Sequence, residues 1–145
     1  MTIALAVLLG LVMAVSLLHY EVLRGLDTAL VTLRIPARSK LLVAAVVTLL
    51  AHAAEAGLYA LGLWLLAVVL QVGSLNPTNR QTWQDFMYFS LETYSSLGFG
   101  DLTPQGPLRI VAGLEALHGL LLIGWSASFL HLAMERYWGT HRSRR

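Results

Sequence analysis

Residues 88–104 have the sequence Tyr-Phe-Ser-Leu-Glu-Thr-Tyr-Ser-Ser-Leu-Gly-Phe-Gly-Asp-Leu-Thr-Pro. A short amphipathic segment leads into the six residues from Ser96 to Asp101, and long apolar segments lie on both sides. The simplest interpretation is a glycine-rich turn between two helices. A lone Gly-x-Gly would support nothing more, but here an acid follows the glycines and a Ser-Leu-Glu-Thr run precedes them. The pattern therefore favours a specialised loop.

The stretch resembles the pore loop and selectivity filter of a potassium channel. That family's filter usually has the sequence Thr-Val-Gly-Tyr-Gly-Asp; here Ser96 stands for the Thr, Leu97 for the Val and Phe99 for the Tyr, while both glycines and the Asp are kept. The resemblance covers the pore helix, the filter and, more loosely, the flanking helices. It implies that the ion-binding filter consists of Ser96, Leu97, Gly98, Phe99 and Gly100, with K⁺ held at the first four and no organic cofactor.

The residue types in this loop suit ion coordination. A dehydrated cation needs rings of backbone carbonyl oxygens in place of its water. Successive carbonyls can point the same way only if the backbone enters left-handed conformations, which glycine adopts at no steric cost. Gly98 and Gly100 meet this demand, and the side chains of Leu97 and Phe99 can point away into surrounding protein. The Ser96 hydroxyl could form the innermost ring of ligands.

The composition indicates a membrane protein. The 145 residues are 57% hydrophobic and 12% charged, against about 25% charged residues in soluble domains. The absence of cysteine excludes disulfides and thiolate metal sites. We expect membrane lipid as the environment and no nucleic acid as a partner.

The N-terminal part predicts one span and a basic connection. Thr2 to Leu18 contains no charged residue and is just long enough to cross the hydrocarbon. We assign 1–20 to a first transmembrane span, with a cleaved or peripheral segment as the alternative. Residues 21–40 form a basic cytoplasmic connection, in which leucines at helical spacing suggest a short amphipathic helix on the membrane surface.

The remainder predicts a pore domain at 41–138. Its second span, the outer helix, is assigned to 41–72, and an exposed turn follows at 73–79. A helix of near 12 residues would cover only ~18 Å and cannot cross a bilayer, so the pore helix must be re-entrant. The assigned segments are a pore helix at 82–94, a filter at 95–101, an inner helix at 108–138 and a basic cytoplasmic tail at 139–145.

Charge counting predicts the orientation. Four Lys or Arg residues lie in 21–40 and four in 136–145, but only Arg80 and Arg109 lie between the second and third spans. Cytoplasmic loops carry the excess of basic residues. The connection and the tail are therefore expected inside, and the N-terminus and pore loop outside, in a plasma membrane of bacterial inner-membrane type.

These patterns together predict an all-α membrane protein with three transmembrane helices, a re-entrant pore helix and a filter. One chain has one pore loop, and a closed ring of carbonyl ligands needs several, so we expect a tetramer with three further copies of the chain. The predicted function is passive, potassium-selective conduction, with no reaction catalysed. The alternatives are a weakly selective monovalent cation channel and a non-conducting accessory or scaffold subunit.

Three carboxylates are candidate supports of the filter. By the resemblance, Glu92 lies behind the filter close to Asp101, and the two share a proton or a water; the alternative is a simply hydrated Glu92. The resemblance assigns no role to Glu115. An acid within a span is costly, and for Glu115 we favour a hydrogen bond to the pore helix over contact with ions.

The second span carries His52 and Glu55, three residues apart on one face. They could pair with each other, with Ser126 or Ser128, or with the first span. A structural hydrogen bond between helices is the favoured interpretation. We expect His118 to be a packed, neutral histidine.

The inner helix supplies the hinge and gate candidates. Gly119 lies ten residues after Arg109, which is where the family's hinge glycine lies. If it is the hinge, a helical face that begins with Leu120 lines the pore below it, and four protonated imidazoles on that face would repel and favour opening. The gate candidates are Ile123, Ala127, His131 and Glu135.

Overall fold

The computed structural model describes residues 2–77 and 81–138 and is almost entirely helical. Three helices are long and apolar enough to cross a membrane: α1 (Thr2–Thr32), α2 (Ala37–Trp64), which continues as a π-helical turn (Leu65–Val69), and α4 (Leu108–Trp138). The short α3 (Trp83–Tyr94) lies between α2 and α4 in the chain. The predicted architecture of three spans and one short helix is confirmed.

The first helix differs from the sequence-based assignment. α1 continues through residue 20 to Thr32 without a break. The prediction of a separate surface helix within 21–40 was therefore wrong. Leu23, Leu26 and Leu30 extend the buried stripe of Leu8 and Val15 at the same spacing. The leucines that suggested a helix on the membrane surface belong to the C-terminal half of α1. They lie on the face of this helix that packs against the rest of the protein. With 31 residues, α1 spans about 46 Å and extends beyond a ~30 Å hydrocarbon core.

The second span is also displaced from its predicted bounds of 41–72. It begins directly after Pro36, which occupies the N-cap position with its ring-fixed φ of −55°. It ends before residue 72 because Gln71 takes a left-handed φ of 52°. The helix therefore starts inside the basic connection and ends before the predicted boundary at residue 72.

A small antiparallel ribbon joins the two ends of the pore loop. Strand β1 (Ser74–Asn76) pairs with β2 (Thr103–Gln105), with Leu75 opposite Pro104. The predicted exposed turn at 73–79 is therefore partly a strand, and Leu75 is fully buried. The ribbon fixes where the chain enters and leaves the loop.

The start of α3 follows from its N-cap. The Thr82 hydroxyl accepts a hydrogen bond from the Asp85 amide, and the Asp85 carboxylate accepts one from the Thr82 amide at 2.8 Å, which completes a capping box. Its buried face carries Phe86 and Phe89 into the core. These contacts hold α3 against the long helices and aim its C-terminal end at the loop that follows.

The core runs along the whole bundle in three layers. At one end the first half of α1 packs with the last turns of α2, with α3 and with the start of α4. The middle layer centres on Tyr59, Tyr94 and Leu122, and the far layer on Leu26, Leu30 and Ala44. At that far end Asp27 pairs with Arg136 at 3.0 Å, and the Lys40 ammonium lies 5.0 Å from the centre of the Tyr137 ring. The connection and the C-terminal end of α4 therefore lie at the same end of the bundle, while the predicted tail at 139–145 lies outside the described residues.

Candidate functional site

The loop after α3 has an alternating backbone. α3 ends at Tyr94, and positive φ values then occur at every second residue: 59° at Ser96, 56° at Gly98 and 79° at Gly100. A Cβ built on either glycine would meet nothing within 4 Å. The backbone conformation, and not crowding, is therefore what demands glycine at these positions. Ser96 adopts the same region without that freedom, and such strain is concentrated at functional sites.

The last turn of α3 anchors the start of the loop. The Ser96 amide donates to the Thr93 carbonyl at 2.9 Å, and the Leu97 amide donates to the Glu92 carbonyl at 2.8 Å. The Glu92 carboxylate then accepts a hydrogen bond from the Phe99 amide at 3.1 Å. Glu92 thus holds the loop twice, once through its backbone and once through its side chain.

The two acids beside the loop have different partners. Burial raises the pKa of Glu92; the hydrogen bond from the Phe99 amide opposes this shift, and the nearby charge of Asp101 adds to it. The exposed Asp101 accepts a hydrogen bond from the Tyr88 hydroxyl at 3.2 Å. Among the residues that the structure describes, no hydrogen bond joins the two carboxyl groups directly. Their electrostatic coupling is present, and the shared proton stays a prediction.

The side chains of the loop face outward from the chain. Leu97 is 60% exposed and Phe99 is 66% exposed. The Phe99 ring stacks on Tyr88, with centroids 6.5 Å apart and planes at 4°. The chain therefore covers one face of the Phe99 ring with Tyr88 and leaves most of this side chain exposed.

Glu115 lies behind the pore helix and is fully buried. It hydrogen-bonds to the hydroxyl of Ser90 in α3, the arrangement favoured from the sequence over contact with ions. The same hydroxyl lies 2.6 Å from the Ala56 carbonyl oxygen. This contact ties α2, α3 and α4 together.

Gly119 lies where α4 crosses the end of the pore helix. A Cβ at this position would overlap the backbone carbonyl of Tyr94. Close approach of two backbones is thus a sufficient reason for glycine here, while the hinge role stays a prediction.

The gate candidates share one uncovered face of α4. Leu120 is 51% exposed and Ile123 is 36% exposed. The other candidates, Ala127, His131 and Glu135, are exposed too. His131 Nε2 lies 3.7 Å from Glu135 Oε1. No part of the described chain covers this face.

A second polar group lies inside the bundle. His19 Nδ1 is 2.9 Å from Glu55 Oε1, and His52 Nδ1 is 3.0 Å from Glu55 Oε2. The Tyr94 hydroxyl donates to Glu55 and lies 2.9 Å from His52 Nδ1, and Ser126 Oγ is 3.5 Å from His19 Nε2. We call these five residues the polar junction, because they come from all four helices.

Sequence reasoning found only part of the polar junction. The pairing of His52 with Glu55 is confirmed, whereas Ser128 bonds to the carbonyl of Gly124 in its own helix. The first span was among the partners considered, and His19 is the residue that supplies this contact; Tyr94 was missed. A signal for His19 was present, because it falls four residues after Val15 on the apolar stripe of α1, where a polar side chain needs a partner.

His118 forms a separate contact within the same bundle. Its two ring nitrogens lie 2.8 Å from the Tyr59 hydroxyl and 3.0 Å from the Ser16 hydroxyl. It thus joins α1, α2 and α4, as expected of a packed histidine.

Comparison with known proteins identifies a family. A family model described as "Ion channel" matches residues 46–136, which is more than half of the chain. The match includes most of α2, all of α3 and the loop, and nearly all of α4. No curated protein and no solved structure matches the chain significantly.

Proposed function

The chain belongs to an ion channel pore-domain family, and on that premise we propose that it forms a homotetrameric channel selective for K⁺. The observation that carries the proposal is the left-handed backbone at Ser96, Gly98 and Gly100. A left-handed residue at every second position turns successive peptide groups in a way that a continuous strand or helix does not. This is the backbone needed to present successive carbonyl oxygens to a dehydrated cation.

The pore helix supports cation binding at the same place. The carbonyl end of α3 lies at Tyr94, directly before the loop, and the C-terminal end of a helix carries partial negative charge. Several chains whose α3 ends converge would favour a cation at the centre. The filter carbonyls would then replace the water that the ion loses.

Exposed apolar surface supports assembly. Leu97 and Phe99 are uncovered at the loop, and Leu120 and Ile123 are uncovered on α4. One chain contributes only one loop, so a closed ring around an ion requires further copies. Four copies would place the α4 faces around a common axis and cover Phe99 with a neighbouring subunit.

The orientation proposed from charge is supported by the position of the basic segments. The ion pair of Asp27 with Arg136 and the contact of Lys40 with Tyr137 bring the connection and the end of α4 to one end of the bundle. The pore loop lies in the opposite half of the bundle. This half contains the core layer formed by the first half of α1, the last turns of α2, α3 and the start of α4. We therefore place the loop outside and the basic end in the cytoplasm.

Flux from liposomes tests the proposed function. Purified protein should conduct K⁺ and exclude Na⁺, and Ba²⁺ should block the flux. Equal K⁺ and Na⁺ fluxes would instead indicate a weakly selective cation channel, in line with the departures at Ser96 and Leu97. No flux from protein that is inserted and folded would indicate a non-conducting subunit. Native mass measurement of the same sample gives the number of copies.

The proposed gate lies at the basic end of α4. In four copies, protonated His131 side chains would repel across the axis and favour the open arrangement, and Glu135 would offset part of that charge. Internal acidification should therefore raise flux. His131→Ala should remove this response, and Glu135→Gln should strengthen it. An unchanged response in His131→Ala would refute the assignment.

A further inference from the structure

The polar junction has the donor set of a metal site. It presents two imidazole nitrogens and one carboxylate, and one ligand atom from each of His19, His52 and Glu55 lies within 4.8 Å of the others. Imidazole and carboxylate together suit zinc and related divalent transition metals. We propose that His19, His52 and Glu55 bind a divalent transition-metal ion, for which Zn²⁺ is the probe.

The geometry requires little movement to bind such an ion. His19 Nδ1 and His52 Nδ1 both point at the Glu55 carboxylate, at 2.9 Å and 3.0 Å. Ligand atoms around a tetrahedral zinc, with bonds of about 2.0–2.1 Å, lie roughly 3.3 Å apart. The two nitrogens contact different oxygens of the carboxylate, and the three ligand atoms lie within 4.8 Å of one another. The side chains must therefore move toward a common centre by about 1–1.5 Å at most to reach the tetrahedral separation.

Charge balance favours a cation at this position. Glu55 is fully buried between helices, and a buried carboxylate needs a compensating charge. Within the described ranges 2–77 and 81–138, its side-chain hydrogen-bond partners are His19, His52 and Tyr94, with no lysine or arginine among them. A divalent ion would satisfy the carboxylate and the two imidazoles at once.

The surroundings resemble those of an ordered metal site. Ser126 Oγ lies 3.5 Å from His19 Nε2, the ring nitrogen opposite the proposed ligand atom, and contacts of this kind orient metal-binding histidines. The His52 side chain is 17% exposed, which gives an ion a route to the cluster. Three protein ligands leave a fourth position open, and the Tyr94 hydroxyl lies beside it.

Binding would have a structural effect. The ligands belong to α1 and α2, and Tyr94 is the last residue of α3 before the filter. A metal ion would therefore fasten the first span to the outer helix next to the base of the pore helix. We expect the metal-bound protein to resist thermal unfolding more than the metal-free protein does.

The decisive experiment measures zinc bound to the tag-free, full-length protein in detergent. The protein is first stripped with a chelator, then mixed with equimolar Zn²⁺ and separated from free metal before elemental analysis. The wild type should retain about one zinc per chain, with a rise in its melting temperature. Failure of the wild type to retain zinc would overturn the proposal.

Asparagine variants separate metal binding from hydrogen bonding. The amide of Asn can replace the Nδ1–H donor of histidine but is a poor zinc ligand. His19→Asn and His52→Asn should therefore fold yet lose the zinc and its thermal shift. His118→Asn alters another buried histidine of the bundle and should bind like the wild type. If both junction variants bind as much zinc as the His118 control does, the ion is held elsewhere and the proposal is wrong. These readouts do not depend on which ion the channel conducts.

Discussion

The filter loop and the polar junction meet at Tyr94, yet they are completed in different ways. In the loop, Leu97 and Phe99 are 60% and 66% exposed, and the main internal support is the double contact of Glu92. In the junction, Glu55 is 0% exposed and is bonded to three helices of the same chain. A single chain therefore contains its own frame, whereas the loop to which we assign conduction is left uncovered within one chain.

For the filter loop, the substitution with the largest expected effect is Gly98→Ala. The φ of 56° at Gly98 costs an L-residue about 1–2 kcal/mol per copy, and any relaxation moves a carbonyl that we assign to ion binding. We expect the K⁺ over Na⁺ flux ratio to fall to about one while assembly persists.

A matched control is Gly10→Ala in α1, where a Cβ likewise meets nothing within 4 Å and the backbone is helical. This control should keep the wild-type flux ratio. Full selectivity in Gly98→Ala would refute the filter assignment.

Glu55→Ala tests the junction side. Removal of this carboxylate leaves His19, His52 and Tyr94 without their common partner, and each buried polar group left unsatisfied costs about 1–3 kcal/mol. We expect a large fall in the free energy of unfolding in detergent, with selectivity kept in the protein that still assembles.

The exposed Glu21→Ala serves as the comparison for this variant. Glu21 pairs with Arg24 at 3.5 Å on the surface of α1, and such pairs contribute at most about 1 kcal/mol. Equal stability of the Glu55 and Glu21 variants would show that the junction does not support the frame.

Gly119→Ala probes the point where the two regions touch. The added methyl group would overlap the Tyr94 carbonyl, and overpacking of this kind costs about 1–3 kcal/mol. Gly124→Ala lies on the same helix with nothing within 4 Å and should be tolerated. If Gly119 serves only as a hinge, Gly119→Ala will instead keep full thermal stability and change only gating.

Glu92→Gln should give the smallest effect, a change in pH dependence. Because burial raises the pKa of Glu92, its protonated form is favoured in the folded loop. The resulting stabilisation is complete below the usual glutamate pKa of about 4.3 and is lost as pH rises through the higher folded value. Glutamine cannot titrate but can still accept the Phe99 hydrogen bond.

We therefore expect open lifetimes of the wild type to vary with external pH above about 4.3, and those of Glu92→Gln to stay constant. Identical pH profiles for the two proteins would exclude Glu92 as the titrating group. Asp101→Asn, which removes the neighbouring charge, should lower the pH at which the wild-type response occurs.

Much of the fold follows from local sequence patterns. Long apolar runs identify three spans, and the length of 82–94 excludes a fourth. Residue 20 is not the end of α1, because hydropathy locates the bilayer and not the end of a helix. The sequence has no proline before Pro36, so no helix-breaking residue of this kind ends α1 at residue 20.

The candidate site could be predicted only where its parts are adjacent in sequence. Gly98 and Gly100 reveal their backbone requirement by residue type alone, whereas the positive φ of Ser96 has no such signal. His19 is 36 residues from Glu55, and Tyr94 is 39 residues from it. Helical periodicity tells which face each occupies, but the mutual rotation of the helices, set by packing of the whole core, decides which faces meet.

The ribbon of β1 and β2 has a consequence for the modular construction of this molecule. Because Leu75 and Pro104 are paired, the insert between them starts and finishes at one spot, about 5 Å apart. The ends of the insert are therefore fixed by backbone pairing, whereas its helix α3 is fixed by side chains that also contact α2 and α4. A chimera that exchanges the insert at the ribbon would therefore have to keep Ser90 and Tyr94, or change their partners on α4 and α2 together with them.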